Sequence, residues 1–238
     1  NINSSLNFSD KVVELAYLFR EKFSSLVVEW MRVGYCQGNF NSDNCSLGGI
    51  TLDYGPFGFC EMFDPEFQPW TGGGKHFSFF NQPVAAEANF LMFCKSIRLL
   101  LKDKPESLEK LDHIKEGFSK LMREKLNKMW SKKLGLKFFD ENLVNDLFSL
   151  MTLSRVDYTK FFRMMSLLPK DISLLRDSFY SPFSEQVENL WNNWLERWNN
   201  QIKINDNNED LSREMNLNNP KYTWREWLIV EAYEKAEL

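Results

Sequence analysis

The sequence has 238 residues, of which 43% are hydrophobic and 26% are charged, and both fractions are those of an ordinary globular protein. This composition excludes a disordered chain, and the net charge of −4 provides no overall attraction to nucleic acid. Only two histidines occur, His76 and His113, which excludes sites built on several histidines. We expect both to lie at the surface, so that any catalysis would use carboxylates, amides or thiols.

An amphipathic helix is predicted first, over residues 10–32, where apolar residues recur at helical spacing from Val13 to Trp30. The next region, residues 34–82, has a different composition because it holds nine of the eleven glycines. Within it, residues 49–54 predict a short strand that ends in a Gly-Pro turn and belongs to a small β pair. Long irregular regions inside compact domains are usually functional or disordered, and the many aromatic residues here argue against disorder.

Helices are predicted again from Pro83 onward, because proline is favoured at a first helical position. The predicted ranges are 83–101, 105–130, 140–153, 157–168, 183–203 and 220–236. Ser181 and Pro182 are interpreted as the cap and first turn of the fifth of these helices, and Asn219-Pro220 as the start of the last. The polar segment 204–219 is predicted to be a mobile loop. The expected fold is therefore mainly α.

Three further patterns receive structural interpretations. Trp191, Trp194 and Trp198 lie at helical spacing and are predicted to be core. The basic residues between 120 and 137 are interpreted as a solvated helix face, although they could also contact nucleic acid or an acidic partner. They are Lys120, Arg123, Lys125, Lys128, Lys132, Lys133 and Lys137. The stretch T-G-G-G-K at 71–75 is interpreted as a flexible turn, because no suitable strand and helix flank it.

The four cysteines, Cys36, Cys45, Cys60 and Cys94, form no C-x-x-C pair. The chain opens on polar residues, and no apolar run reaches the length of a membrane span. We therefore expect reduced thiols in an intracellular protein that has no membrane partner. The first residue is not methionine and the last predicted helix runs to the terminus, which predicts a fragment of a longer protein.

The densest polar cluster, residues 37–44, is followed nine residues later by Asp53. Carboxylate and amide oxygens are hard ligands of the kind that Mg²⁺ takes together with phosphate oxygens. The competing interpretation is that such residues cap and turn the backbone. Asp53 precedes an aromatic residue and a glycine, as does the metal-binding aspartate of protein kinases. The order of long helix, Asn-containing loop, strand and aspartate also follows the kinase order.

Four ordered motifs resemble the selenoprotein O family of kinase-like proteins. They are N-S-D-N-C-S at 41–46 with T-L-D-Y-G-P-F-G-F at 51–59, N-Q-P at 81–83, D-Y-T-K-F-F-R at 157–163, and Met215 with N-P-K-Y at 219–222. Their order and spacing fit over nearly the whole chain. The resemblance implies a protein-kinase-like C-terminal lobe, with a small β-hairpin at the catalytic and metal loop and additional C-terminal helices. Residues 1–238 would form one domain, in which 1–82 carry the helix and both loops and 83–238 the helical remainder.

The resemblance also implies an activity, the transfer of AMP from ATP to Ser, Thr or Tyr hydroxyls of proteins. By matching position, Asp43 would be the general base, Asn44 and Asp53 would hold Mg²⁺ or Mn²⁺, and Asp53 would also approach the ATP phosphates. The implied partners are ATP and protein substrates, without nucleic acid. The implied compartment is mitochondrial in a eukaryote and cytoplasmic in a bacterium.

Two departures from the family pattern leave alternatives open. Gln37 stands where the family motif usually has histidine, and glutamine can keep a structural hydrogen bond but cannot shuttle a proton. The chain also has no kinase-type or P-loop glycine motif, so the N-terminal lobe would be absent and the fragment inactive alone. A catalytically silent pseudokinase module that binds partners is the first alternative. Ordinary transfer of the γ-phosphoryl group is the second. Cys45 is interpreted as a packed thiol, with a redox-sensitive thiol as its alternative.

Overall fold

The computed structural model describes residues 4–52, 58–70, 74–202 and 208–236, and most of them are helical. In chain order the helices are α1 (Phe8–Val33), α2 (Gln82–Ile97), α3 (Pro105–Glu116), α4 (Phe118–Leu134), α5 (Glu141–Ser154), α6 (Tyr158–Met165), α7 (Glu185–Ile202), α8 (Asn208–Asn218) and α9 (Glu226–Ala236). Strand β1 (Tyr35–Cys36) pairs antiparallel with β2 (Gly58–Phe59). The prediction of a mainly α fold is confirmed.

Helix α1 runs through the centre of the molecule and packs against α2, α3 and α4. The side chain of Asn7 caps its first turn by accepting a hydrogen bond from the Asp10 N–H at 2.9 Å. Gly34 ends the helix with φ at +81°, and a Cβ there would lie 2.9 Å from the Tyr158 ring. Glycine is therefore required at this position for both conformation and space. It turns the chain directly from α1 into β1.

The predicted helix over 105–130 is two helices, α3 and α4, which are separated at Gly117. A Cβ at Gly117 would lie 2.9 Å from Nη1 of Arg20, so the glycine allows this α1 side chain to approach closely. The apolar pattern continues across the break, and a lone glycine in a helical pattern does not by itself predict an end.

The C-terminal predictions need three corrections. Helix α7 begins at Glu185 rather than after Ser181 and Pro182, and the hydroxyl of Ser184 accepts the Val187 N–H at 3.4 Å. The predicted loop 204–219 contains α8, while residues 203–207 lie outside the described ranges. Met215 of α8 is buried, and its sulfur lies 2.8 Å from where a Cβ on Gly135 would be. The last helix begins at Glu226 rather than at Pro220.

Lys133 corrects the interpretation of the basic run as a solvated face. Its side chain is fully buried, and its Nζ donates to the Arg32 carbonyl at 2.8 Å and lies 4.0 Å from the centre of the Phe162 ring. Burial, with a smaller contribution from the Arg32 charge, lowers the pKa of Lys133 well below its ordinary value. Lys125 is also engaged, with its Nζ 3.1 Å from Oε2 of Glu21. The other basic residues of the run are exposed.

The predicted tryptophan core is confirmed. Trp191, Trp194 and Trp198 are buried on one face of α7, and each indole N–H donates a hydrogen bond. The acceptors are the Ser154 hydroxyl at 2.9 Å and the carbonyls of Leu143 and Leu134, both at 2.8 Å. These bonds satisfy the polar atoms that burial removes from water.

The sequence also yields predictions for the histidines, the cysteines, the glycine-rich stretch 71–75 and membrane-spanning segments. His76 and His113 are exposed, as predicted, and the four cysteines are free thiols. Thr71, Gly72 and Gly73 lie outside the described residues, so the predicted turn there stays a prediction. Over the four described ranges, every helix is too short or too polar to cross a membrane.

Candidate active site

The polar loop after α1 comprises residues 37–57, which connect strand β1 to strand β2. Tyr35 is opposite Phe59 and Cys36 is opposite Gly58, and the Cys60 N–H donates to the Gly34 carbonyl at 2.7 Å. Both ends of the loop are therefore fixed to each other. The predicted strand at 49–54 is wrong for its described part, because only Thr51 makes a bridge there, with Cys45. The small β pair exists, but β1 and β2 form it.

The first residues of the loop are held by two buried glutamines. Gln82, at the start of α2, accepts the Gln37 N–H at 2.9 Å and donates to the Tyr35 carbonyl at 2.9 Å. The side-chain oxygen of Gln37 accepts the Tyr35 hydroxyl at 2.6 Å. Both glutamines are almost completely buried. The structural hydrogen bond predicted for Gln37 is thus present, and it lies inside the protein.

The next part of the loop is anchored by an aromatic side chain and an asparagine. Phe40 is buried, with its ring centre 5.2 Å from that of Trp30. Asn89 of α2 donates from Nδ2 to the Phe40 carbonyl at 2.7 Å and accepts the Ser42 hydroxyl at 2.8 Å. Asn89 belongs to none of the motifs found in the sequence. It lies seven residues, or two helical turns, after Gln82, and this spacing is the sequence signal that places both on one face of α2.

Asp43 and Asn44 lie in the short 3₁₀ turn Ser42–Asn44 that follows. Asp43 is exposed, and the Asn44 side chain donates from Nδ2 to the Asn39 carbonyl at 2.9 Å. Because this bond uses the amide nitrogen, the side-chain oxygen of Asn44 is the atom available to a cation. Two of the three predicted site residues, which are neighbours in the sequence, therefore lie in one turn: Asp43 with an exposed carboxylate, and Asn44 with an amide oxygen, a hard donor that suits Mg²⁺.

The loop then returns toward Asp53 along a path fixed by α1. The Trp30 indole donates to the Thr51 hydroxyl at 2.9 Å. Gly49 has φ at +69°, and a Cβ there would lie 2.6 Å from Cβ of Lys22. Asp53, Tyr54 and Phe57 lie outside the described residues. Over the part of the chain that is described, no three His, Cys, Asp or Glu side chains form a metal-binding group.

Cys45, next to this turn, has the properties of a packed thiol. Its sulfur donates to the Asn41 carbonyl at 3.5 Å. Burial, together with the nearby charge of Asp43, raises the pKa of Cys45 to about 12. A thiolate is therefore disfavoured, which argues against the redox-sensitive alternative.

A partly buried ion-pair network, centred on the buried side chain of Asp157, lies just beyond β2. Arg225 binds Asp157 through two nitrogens, at 2.7 and 3.1 Å, and its Nη1 lies 3.2 Å from Oε1 of Glu61. The Tyr180 hydroxyl donates to Asp157 at 3.0 Å and to Glu61 at 3.1 Å. Asp157 also caps α6 by accepting the Lys160 N–H. This network fixes the segment before α9 against the chain that leaves the loop.

Comparison with known proteins identifies relatives of this chain. Residues 6–237 match the family described as protein adenylyltransferase SelO. The chain is 35% identical over 227 residues to the protein nucleotidyltransferase YdiU of Aromatoleum aromaticum, which covers 91% of this chain and 43% of that protein. It is 30% identical to the protein of the same name from Cytophaga hutchinsonii, with 96% and 45% covered. For Methylobacillus flagellatus the identity is 31%, with 96% and 45% covered.

The match extends over nearly all of this chain but spans less than half the length of these relatives. The braced polar loop, the N-Q-P start of α2 and the Asp157 cap all fall within the matched residues. The chain belongs to the SelO family of protein adenylyltransferases.

Proposed function

We propose that this chain forms the catalytic-loop part of a protein adenylyltransferase that transfers AMP from ATP to Ser, Thr or Tyr hydroxyls of proteins. The observation that carries the proposal is the braced turn that presents Asp43 to solvent beside the Asn44 amide oxygen. The description of the matching family supports the same reaction type.

In the proposed reaction, the hydroxyl oxygen of the substrate attacks the α-phosphorus of ATP. Asp43 accepts the hydroxyl proton, the bond from the α-phosphorus to the bridging oxygen breaks, and pyrophosphate leaves with that oxygen. Asn44 and Asp53 would hold Mg²⁺ or Mn²⁺, and Asp53 would also lie near the phosphates. The ion would neutralise charge on the phosphate oxygens. The protein would contribute mainly orientation and the placement of one proton acceptor.

We further propose that residues 1–238 form a single domain equivalent to the C-terminal lobe of a kinase-like fold. Support comes from the order of a long helix, a braced polar loop and a returning β pair. The other half of the nucleotide cleft would be supplied by an N-terminal lobe outside these residues. Residues 1–238 alone would therefore be inactive.

The main alternative is a catalytically silent module that binds partners, and the motive for it is Gln37. The position of this side chain favours the active interpretation, since Gln37 is buried and accepts the Tyr35 hydroxyl. It thus supports the start of the loop rather than replacing a solvent-facing proton carrier. Binding of ATP with Mg²⁺ by the full-length protein, without transfer of either AMP or phosphate, would favour the silent module.

Replacing Asp53 by Ala tests the proposed metal and phosphate role. We expect Asp53→Ala to reduce AMP transfer by the full-length protein below detection, because the ion loses its only carboxylate ligand in the proposed set. Transfer is measured with ATP labelled at the α-phosphorus, in Mg²⁺ and separately in Mn²⁺, with the protein itself and dephosphorylated casein as acceptors. The matched control is Asp177→Ala, which removes an exposed aspartate far along the chain. Undiminished transfer by Asp53→Ala would contradict the assignment.

A further inference from the structure

The side-chain amide of Asn89 makes two hydrogen bonds to the loop that carries Asp43. Its Nδ2 donates to the Phe40 carbonyl at 2.7 Å, and its Oδ1 accepts the Ser42 hydroxyl at 2.8 Å. One contact is to Phe40, two residues before the turn Ser42–Asn44, and the other is to Ser42, the first residue of that turn. One rigid helix side chain therefore holds two points of the loop, three residues and one residue before Asp43 in the sequence.

The turn depends on such outside support because it is short. A 3₁₀ segment of three residues has weak hydrogen-bond geometry and few bonds of its own. Here they are the Asn44 N–H to the Asn41 carbonyl at 3.0 Å and the Cys45 N–H to the Ser42 carbonyl at 3.3 Å. Helix α2 is well placed to add stiffness, because Ala86 and Phe90, on either side of Asn89 in the sequence, are buried in the core.

Loss of the Asn89 amide should shift the turn without unfolding the loop. Phe40 stays anchored among aromatic rings, and Gln82 continues to hold the residues before it. Asn89 itself is only partly buried, so its truncation leaves no large cavity. The freed Ser42 hydroxyl is exposed and can bind water. The expected consequence is a less ordered turn in an otherwise folded protein.

We infer that Asn89 is a positioning residue for Asp43 and Asn44, acting through its bonds to Phe40 and Ser42. The expected effect of Asn89 on catalysis rests on the proposed function, whereas its effect on the order of the turn does not. Asn89 does not contact the reacting groups. It sets where the proton acceptor and the amide oxygen stand, and displacement of a catalytic group by about 1 Å can lower a rate by about 100-fold.

The structural half of the inference is tested by hydrogen exchange of the 238-residue chain, monitored by NMR. In Asn89→Ala, the amide protons of Asn44 and Cys45 should exchange about tenfold faster than in the unmodified chain, because the turn loses two supporting hydrogen bonds. Amides in the middle of α1 and α4 should be unchanged. The matched control, Asn145→Ala, removes an exposed asparagine from α5 and should leave the turn unchanged. Equal exchange in Asn89→Ala and the unmodified chain would overturn the inference.

The catalytic half is tested by kinetics of the full-length protein with α-labelled ATP. Asn89→Ala should lower kcat by about 100-fold and change the KM for ATP by less than about threefold, a split that general destabilisation would not produce. Ser42→Ala, which removes only one of the two bonds, should have a smaller effect. Asn89→Asp, which keeps the acceptor for Ser42 and loses the donor for Phe40, should recover part of kcat. The double variant Asn89→Ala with Ser42→Ala should be no worse than Asn89→Ala alone.

The two experiments separate failure of the inference from failure of the proposed function. If the unmodified protein transfers AMP and Asn89→Ala keeps its kcat, the inference is wrong and the function stands. If the unmodified protein transfers no AMP, the function is wrong, and hydrogen exchange still decides whether Asn89 orders the turn. A parallel loss of kcat and of thermal stability would assign Asn89 a structural role only and would also overturn the inference.

Discussion

Replacing Asp43 by Asn should lower kcat for AMP transfer by about 10²–10⁴-fold, the usual contribution of a positioned general base. The substitution keeps the size of the side chain and removes its ability to accept a proton. Asp43 is exposed in a turn that other residues hold, so the variant should fold normally. The affinity for ATP with Mg²⁺ should stay within about twofold in a binding titration, because the proposed metal ligands are Asn44 and Asp53.

The control for this experiment is Asp103→Asn, which changes an exposed aspartate in the connection before α3 by the same chemistry. Its kcat should equal that of the unmodified full-length protein. If Asp43→Asn retained more than about a tenth of the kcat, proton transfer would have to be assigned to another group.

Replacing Arg225 by Met should lower the free energy of unfolding by about 1–3 kcal/mol, because the largely buried Asp157 carboxylate loses two charged hydrogen bonds and keeps those from Tyr180 and Lys160. The partner is Asp157, whose side chain is only 10% exposed, while that of Arg225 is 17% exposed. Methionine fills much of the same volume but cannot bind a carboxylate. Urea denaturation of the 238-residue chain, followed by tryptophan fluorescence, measures the change through the shift in midpoint.

Two companion variants show whether the loss arises from the unpaired charge. Arg197→Met breaks an ion pair with Asp146 in which both side chains are about half exposed, and it should cost less than about 1 kcal/mol. Adding Asp157→Asn to Arg225→Met should recover part of the loss, because asparagine can still cap α6 and carries no charge. Equal costs for Arg225→Met and Arg197→Met would contradict the ion pair with the buried Asp157 as a source of stability.

The elements with a strong apolar period were predictable. Helix α1 and the tryptophan face of α7 have wide apolar stripes, and any apolar surface of the protein can bury them. Helix α8 was not predictable in this way, because its sequence is polar and its stability comes from burying Met215 against Gly135. Most helical stability in proteins comes from such tertiary packing rather than from local preference.

Charged and polar residues were harder to place than apolar ones. Lys133 stands in a row of basic residues that are otherwise at or near the surface, and nothing in the local pattern distinguishes it. Its burial depends on the Arg32 carbonyl and the Phe162 ring, which the fold brings to it from other helices. Burial of a lysine needs such partners, and they are visible only in three dimensions.

The residues of the candidate site also differ in how well the sequence predicts them. Asp43 and Asn44 were identified through a motif, and the structure places both in one braced turn. Asn89 was missed because an asparagine inside a helix has no local meaning of its own. Its spacing from Gln82 indicates a shared helix face, and its role becomes clear where α2 approaches the loop and both atoms of its amide find partners.

The central claim is most directly tested by comparing ATP labelled at the α-phosphorus with ATP labelled at the γ-phosphorus. The full-length protein is incubated with each, in Mg²⁺, and label bound covalently to protein is counted, with Asp43→Asn as the reference of lowered activity. AMP transfer predicts incorporation from the α-label and none from the γ-label, because the γ-phosphate leaves in pyrophosphate. Incorporation from the γ-label alone would establish ordinary phosphoryl transfer and would contradict the proposed function.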